Sequence, residues 1–116
     1  MDFDSFSIAL LIRRPDAPEL DAAAATALQD GHLAHLAELH DAGHLLAAGP
    51  LLGDSEFRGL SILAVEPERA RELKEQDPAV QAGVYSIKVL PWMIPRGAMS
   101  FAHTRFPRSV AEATGA

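Results

Sequence analysis

The chain has 116 residues, the size of one domain with a single modest core. Its net charge of -6 argues against nucleic acid and anionic membranes as partners. It contains no cysteine, which excludes disulfides, thiol catalysis and cysteine-based zinc sites. There is no apolar run long enough for a transmembrane helix, and the acidic N-terminus is unlike a signal peptide. We therefore expect a cytoplasmic protein.

The hydrophobic pattern predicts strands and helices in the order βαββαβ. Proline at position 67 suits the first turn of a helix, and Asp77 before Pro78 ends that helix, because a residue preceding proline avoids helical backbone angles. The strands are expected over residues 5–13, 44–52, 60–65 and 84–92, and the helices over residues 19–42 and 67–76. The AVQAG segment is expected to be a connection, and residues 109–116 to be frayed.

This order of elements is that of the ferredoxin-like α+β arrangement, a four-stranded antiparallel sheet with two helices on one face. The first strand is nevertheless apolar on both sides, since Phe6 and Ile8 alternate with residues such as Ala9 and Leu11. A bare apolar sheet face is unusual on a monomer. We therefore expect a homodimer that packs sheet against sheet, built from a domain of residues 1–92 with a C-terminal tail of residues 93–116.

Charge is distributed unevenly between that domain and the tail. The tail carries Arg96, Arg105 and Arg108 against Glu112, a net charge of +2. Since the whole chain has a net charge of -6, the rest of the chain has a net charge of -8. A basic tail is suited to docking on an acidic body. The body can be that of its own subunit or of another.

Four of the five histidines lie within residues 31–50. On a helical wheel His32 falls in the middle of a mostly apolar stripe with Leu28, Leu36 and Leu39, so its ring is expected to point inward. Two interpretations of the pattern stay open. His32 is either a core histidine bonded to a backbone carbonyl or a functional group, and Asp77 either only ends a helix or serves as the partner of that group.

The other histidines give little sign of a metal site. His35 lies three residues after His32, a spacing that can place two nitrogens on one metal ion, but no third ligand with suitable spacing follows. Gly43 is expected to end the first helix before His44. His40 and His44 are therefore expected to be solvated or capping residues, with His40 in the last turn of the helix. No metal or other cofactor is expected.

Three segments of the chain resemble the YCII-related (YciI-like) family. They are GHLAHLAELHDAGHLLAAGP, RGLSILAVE and DPAVQAGVYSIKVLPW. With the first strand they cover most of residues 5–92. The resemblance implies a dimeric α/β barrel of ferredoxin-like subunits. It also implies a site made of one histidine and one aspartate, which the motifs place at His32 and Asp77.

Most members of that family have no assigned reaction, and some relatives isomerise or dehydrochlorinate muconate- or muconolactone-like acids. Two functions are therefore retained. The first is a small cofactor-independent enzyme, of isomerase or lyase type, in which His32 and Asp77 transfer protons on a small organic acid. The second is a non-catalytic homodimer that binds a small ligand or acts as a scaffold. A pocket beside His32 would favour the first, and a packed, dry His32 the second.

Overall fold

The computed structural model describes residues 1–115. Within this part of the chain, one antiparallel sheet consists of β1 (Phe3–Arg13), β2 (Leu45–Pro50), β3 (Phe57–Leu63) and β4 (Tyr85–Pro95), in the spatial order β2-β3-β1-β4. The helices are α1 (Ala22–Asp41), α2 (Pro67–Lys74), α3 (Pro78–Gln81) and α4 (Val110–Thr114). The predicted α+β ferredoxin-like fold is confirmed. None of these helices is both long enough and apolar enough to span a membrane.

Two short helices replace segments that were predicted to be irregular. Most of α3 lies in the AVQAG segment, residues 79–83, which was predicted to be a connection. The helix forms there because the Asp77 carboxylate accepts a hydrogen bond from the Ala79 N–H at 2.9 Å and so caps it. The expected fraying is wrong for residues 109–115, since Ser109 accepts from the Glu112 N–H at 3.1 Å and caps α4. Residue 116, which was also predicted to be frayed, lies outside the described residues.

The core lies between the sheet and helices α1 and α2. Its buried side chains come from all three of these layers, namely Ala9, Leu36, Leu39, Leu45, Leu63, Ala70 and Leu73. Alternation along β1 turns Ala9 and Leu11 to this side and leaves Phe6, Ile8 and Leu10 half-buried on the other. The second face of the sheet is thus apolar, as the sequence pattern predicts, and Phe101 of the tail covers the part of it at Phe6, with a ring-centroid distance of 5.5 Å.

Helix α1 has a defined start and end. The Asp21 carboxylate accepts from the Ala24 N–H at 2.8 Å and caps its N-terminus. At the other end Gly43 has a φ of 82°, the left-handed conformation that was predicted from its position after the last turn. These two features define where α1 begins and ends.

The C-terminal tail lies on the body of its own chain, one of the two alternatives that its positive charge predicts. Arg96 pairs with Asp2 at 3.3 Å, and Arg108 pairs with Asp41 at the end of α1. The Asp30 carboxylate of α1 accepts the Val110 N–H at 2.7 Å. Exposed ion pairs contribute little, about 0–1 kcal/mol each, so the more buried contacts of the tail matter more.

The principal buried contact of the tail is His40, which was expected to be solvated or capping. That expectation is wrong, because the tail covers the ring. Its Nδ1 lies 2.9 Å from the Leu45 carbonyl oxygen and its Nε2 lies 2.8 Å from that of Thr104. The ring also stacks on His103 and on Phe106, with centroid distances of 5.4 and 4.1 Å. His40 therefore joins the end of α1 to both β2 and the tail.

Candidate active site

The two residues that the motifs single out are in direct contact. His32 Nδ1 lies 2.5 Å from Asp77 Oδ2, a hydrogen bond in which the ring N–H donates to the carboxylate. Asp77 is fully buried, whereas 12% of the His32 side chain is exposed. Of the two nitrogens, only Nδ1 has a hydrogen-bond partner within residues 1–115. The Nε2 atom is left available.

A close approach of two helices brings the pair together. His32 lies on α1 directly after Gly31, and Asp77 caps the short helix α3. A Cβ atom added to Gly31 would lie 3.2 Å from Pro78 Cγ, which is closer than most van der Waals contacts. The glycine therefore lets α1 approach Pro78 closely enough for the imidazole to reach the carboxylate. The unusual glycine inside a long helix has a local packing reason.

The Asp77 carboxylate is held ionised inside the protein. Burial alone would raise its pKa, but the hydrogen bond and charge of His32 oppose burial, and so do the Ala79 N–H and the nearby Lys74 ammonium. Together they hold the pKa of Asp77 below its usual value. A buried carboxylate of this kind fixes the Nδ1–H tautomer of the ring and stabilises positive charge that develops on it.

His32 lines a cavity of about 570 Å³, a volume typical of small-molecule sites. Most of the wall is apolar, and the residues with polar side chains on it are Gln29, His32, Arg58, Ser61, Tyr85, Thr104, Arg105 and Thr114. One wall belongs to the tail, from Thr104 to Pro107 and from α4. Gly49 and Pro50, which end β2, also line the cavity. His32 is therefore not the packed, dry residue that a purely structural role would require.

Two buried polar residues beside the pair were not singled out from the sequence. Lys74 is fully buried and donates from Nζ to Ser61 Oγ at 3.2 Å, and Ser61 itself lines the cavity. Burial lowers the pKa of Lys74, and the Asp77 carboxylate opposes that effect. The sequence spacing could have indicated that Lys74 is buried, because it follows Ala70 by four residues and so lies on the apolar side of α2.

The remaining histidines of α1 have structural partners. His35 Nε2 lies 3.0 Å from the Leu73 carbonyl oxygen, and burial lowers the pKa of this ring, although the nearby Asp77 carboxylate opposes the effect. His32 and His35 therefore point to different partners. Among residues 1–115, no three histidine, cysteine, aspartate or glutamate side chains cluster in a way that would hold a metal ion.

Comparison with known proteins agrees with the motifs. A model of the YCII-related domain matches residues 8–93, which are most of the chain, so the chain belongs to the YCII-related family. It is 37% identical to Protein YciI of Escherichia coli O6:H1 over an alignment of 75 positions that covers 56% of this chain and 76% of that protein. Protein YciI of Shigella flexneri matches with the same figures.

Among the solved structures that resemble the fold is the 5-chloro-2-hydroxyhydroquinone dehydrochlorinase of Burkholderia phenoliruptrix in complex with 2,5-dihydroxybenzoquinone. The TM-score is 0.50 at 23% sequence identity, and the match covers 75% of this chain and 92% of that one. At this level of identity the likeness concerns the fold.

Proposed function

We propose that this member of the YCII-related family is a cofactor-independent enzyme that transfers a proton on a small organic acid, with His32 as the acid–base group and Asp77 as its orienting partner. One observation carries the proposal. The Nδ1 atom of His32 is bound to a buried carboxylate at 2.5 Å, while the ring borders a cavity of about 570 Å³ with its second nitrogen unpartnered in the described residues. A ring with one nitrogen held by a carboxylate and the other open to a cavity is suited to act as a general base.

The chemistry follows from the tautomer. With the proton on Nδ1, the lone pair of Nε2 accepts a proton from the substrate, and the Asp77 carboxylate stabilises the resulting imidazolium. In an isomerisation the same nitrogen returns the proton to another substrate atom. In an elimination the leaving group departs with its bonding electrons, and the proton is later released to water. General acid–base catalysis of this kind typically contributes about 10²–10⁴ in rate.

The charges of the cavity favour an anionic substrate. Two permanently charged side chains lie along its wall, Arg58 and Arg105, and none of its described lining residues is an aspartate or glutamate. Arg105 already pairs with Glu112 at 2.8 Å, so within residues 1–115 the cavity charge without a carboxylate partner is that of Arg58. This contrasts with the net charge of -6 of the whole chain. Arginine recognises carboxylates and related oxyanions through charge-assisted hydrogen bonds. A small organic acid therefore fits both the volume and the charge.

The test compares His32→Gln with His35→Gln. Trial substrates are a muconolactone and 5-chloro-2-hydroxyhydroquinone, the compound named for the structural neighbour, from which elimination would remove HCl. If the wild type turns over either compound, His32→Gln should lose at least about 100-fold in kcat. His35→Gln is the matched control, because that ring hydrogen-bonds the Leu73 carbonyl oxygen instead. Equal activity of His32→Gln and wild type would contradict the assignment.

The alternative function, a non-catalytic binding or scaffold dimer, makes a different prediction. Such a protein would bind organic acids in the same cavity without converting them, and His32→Gln would alter only affinity. The unpartnered Nε2 atom at a cavity wall favours the enzyme, since a ring kept for packing alone has no need of an open nitrogen.

We further propose that the protein is a homodimer. Support comes from the apolar second face of the sheet, which the tail covers only in part: Phe101 packs on Phe6 at 5.5 Å, while Leu90 remains 39% exposed. An isologous partner would bury this apolar surface. Light scattering should give about twice the chain mass of 12.4 kDa. A monomer at micromolar concentration would refute the dimer. The cytoplasmic location and the absence of a cofactor remain predictions.

A further inference from the structure

The C-terminal tail forms part of the wall of the cavity beside His32. Strand β2 is at the edge of the sheet, so within residues 1–115 no further strand borders the cavity beyond it. Residues 104–107 and one side of α4 line the cavity as well. The match to the family model ends at residue 93, so this wall lies outside the matched domain.

Phe106 is the large side chain of the tail wall that is fixed in place. Its ring stacks on His40 with a centroid distance of 4.1 Å and an angle of 10° between the planes. The residue is half-buried and packs against the hydrophobic core. Arg105, the other long side chain of this wall, is 82% exposed, so it can turn toward solvent. Phe106 cannot yield in this way, because packed interiors resist displacement.

The backbone is anchored on both sides of Phe106. Two residues before it, the Thr104 carbonyl oxygen lies 2.8 Å from His40 Nε2. Two residues after it, Arg108 pairs with Asp41 at the end of α1. The ring and the backbone of Phe106 are therefore both tied to α1. A wall residue held in this way excludes ligands that do not fit and does not adapt to them.

We propose that Phe106 is a specificity-determining residue, which limits the size of the organic acids that reach His32. This inference rests on the proposed function. An acid whose reacting carbon lies at His32 Nε2 has to place the rest of its skeleton within the cavity, and a fixed ring on the wall restricts that skeleton. Apolar pockets discriminate about 10- to 200-fold against a single added methylene group.

Alkylation of His32 measures access to the cavity without requiring turnover. The two reagents are 4-(bromomethyl)benzoate and 4'-(bromomethyl)biphenyl-4-carboxylate, which share the carboxylate and the reactive group and differ by one ring. Each alkylates an imidazole nitrogen with loss of bromide. Mass spectrometry of peptides from the full chain gives the rate at His32. Dividing this rate by that of N-acetylhistidine in the same solution corrects for the reactivity of each reagent.

In the wild type, the corrected rate of the two-ring reagent should be at least about tenfold below that of the one-ring reagent. Phe106→Ala should restore most of this difference, and Phe106→Leu part of it. Phe101→Ala is the matched control, because Phe101 lies in the same tail and packs on Phe6 but does not line the cavity. Its ratio should stay within about twofold of wild type. An unchanged ratio in Phe106→Ala, or equal corrected rates in the wild type, would overturn the proposal.

The remaining outcomes are also decisive. If neither reagent modifies wild-type His32, modification has to appear in Phe106→Ala, and an unmodified ring in both proteins would overturn the proposal. Hydrogen exchange of the Val110 N–H, which Asp30 accepts, shows whether the tail stays in place. If Phe106→Ala releases the tail, Phe106→Leu decides. The rate ratio is independent of turnover, so it can fail while the activity of His32→Gln still supports the proposed function, and the reverse also holds.

Discussion

His32 and His40 lie on one face of the same helix and use their rings in opposite ways. The middle of α1 presents His32, with one nitrogen bound to a buried carboxylate and the other left at a cavity. The end of α1 presents His40, with both nitrogens at carbonyl oxygens and its ring stacked on His103 and Phe106 of the tail. Within residues 1–115 the His32 ring has one nitrogen without a hydrogen-bond partner, whereas both nitrogens of the His40 ring have one.

The difference separates a site from a structural contact. Both nitrogens of His40 lie against carbonyl oxygens of the chain, and the ring does not line the cavity, so neither nitrogen is placed to meet a substrate there. A carboxylate on one side of His32 leaves the other nitrogen free to gain and lose a proton. We therefore expect His32, in the middle of the helix, to take part in catalysis, and His40, at its end, to stabilise the fold.

The largest effect is expected from Asp77→Asn. Ala79 N–H would continue to bond the side-chain oxygen, so the amide N–H₂ would face His32 Nδ1 and force the proton of the ring onto Nε2. The helix cap would remain, but the base would be lost. We expect kcat to fall by about 10³–10⁴, as in catalytic triads that lose their carboxylate. Retained activity with an intact fold would contradict the orienting role.

The second effect concerns stability rather than activity. His40→Phe keeps the stacking but leaves the Leu45 and Thr104 carbonyl oxygens without their donor. We expect the free energy of unfolding to fall by about 2–4 kcal/mol, measured by urea titration. His103→Ala removes only one stacked ring and should cost less than about 1 kcal/mol. Equal losses would mean that stacking, not hydrogen bonding, holds the tail.

A third prediction uses the pH dependence of stability. Burial lowers the pKa of His35, so the unfolded chain binds a proton at a higher pH than the folded one. Stability is then present above the unfolded value of about 6.5 and is lost as pH falls toward the folded pKa. Urea titrations between pH 7 and 5 should show this loss in wild type and a smaller one in His35→Gln. An unchanged slope would contradict the assignment.

The smallest effect is expected from Gly31→Ala. The added methyl group would press on Pro78, so α1 and α3 must separate by a few tenths of an ångström. Better helix propensity, about 1 kcal/mol, should offset the strain and leave the unfolding free energy nearly unchanged. The His32–Asp77 contact would loosen, and kcat should fall about tenfold or less. Wild-type kcat would show that this close approach is not needed.

The sequence predicted the order of elements and the chemical character of His32, because both depend on local periodicity. The alternation along β1 and the stripe on α1 are visible without any tertiary information. Local periodicity did not identify the partner of His32. Asp77 lies far along the chain, and only the motif around Asp77-Pro78 indicated that the two side chains meet.

The roles of Lys74 and His40 could not be predicted because they depend on what covers each residue. Lys74 ends a strongly polar helix, where lysine is normally solvated, and its burial follows from the packing of α2 on the sheet. His40 is buried only because the tail folds back over the end of α1. The charge of the tail predicted that it docks on an acidic body, but not that it would cover His40.

The most direct test of the central claim is to locate the protons on the histidine rings by ¹⁵N NMR of the full chain. We predict that the neutral His32 ring carries its proton on Nδ1, bound to Asp77, and has the lone pair on Nε2. In Asp77→Asn the proton should move to Nε2. A wild-type His32 with a bare Nδ1 and a permanently protonated Nε2 would contradict the account, because such a ring has no base to offer the cavity.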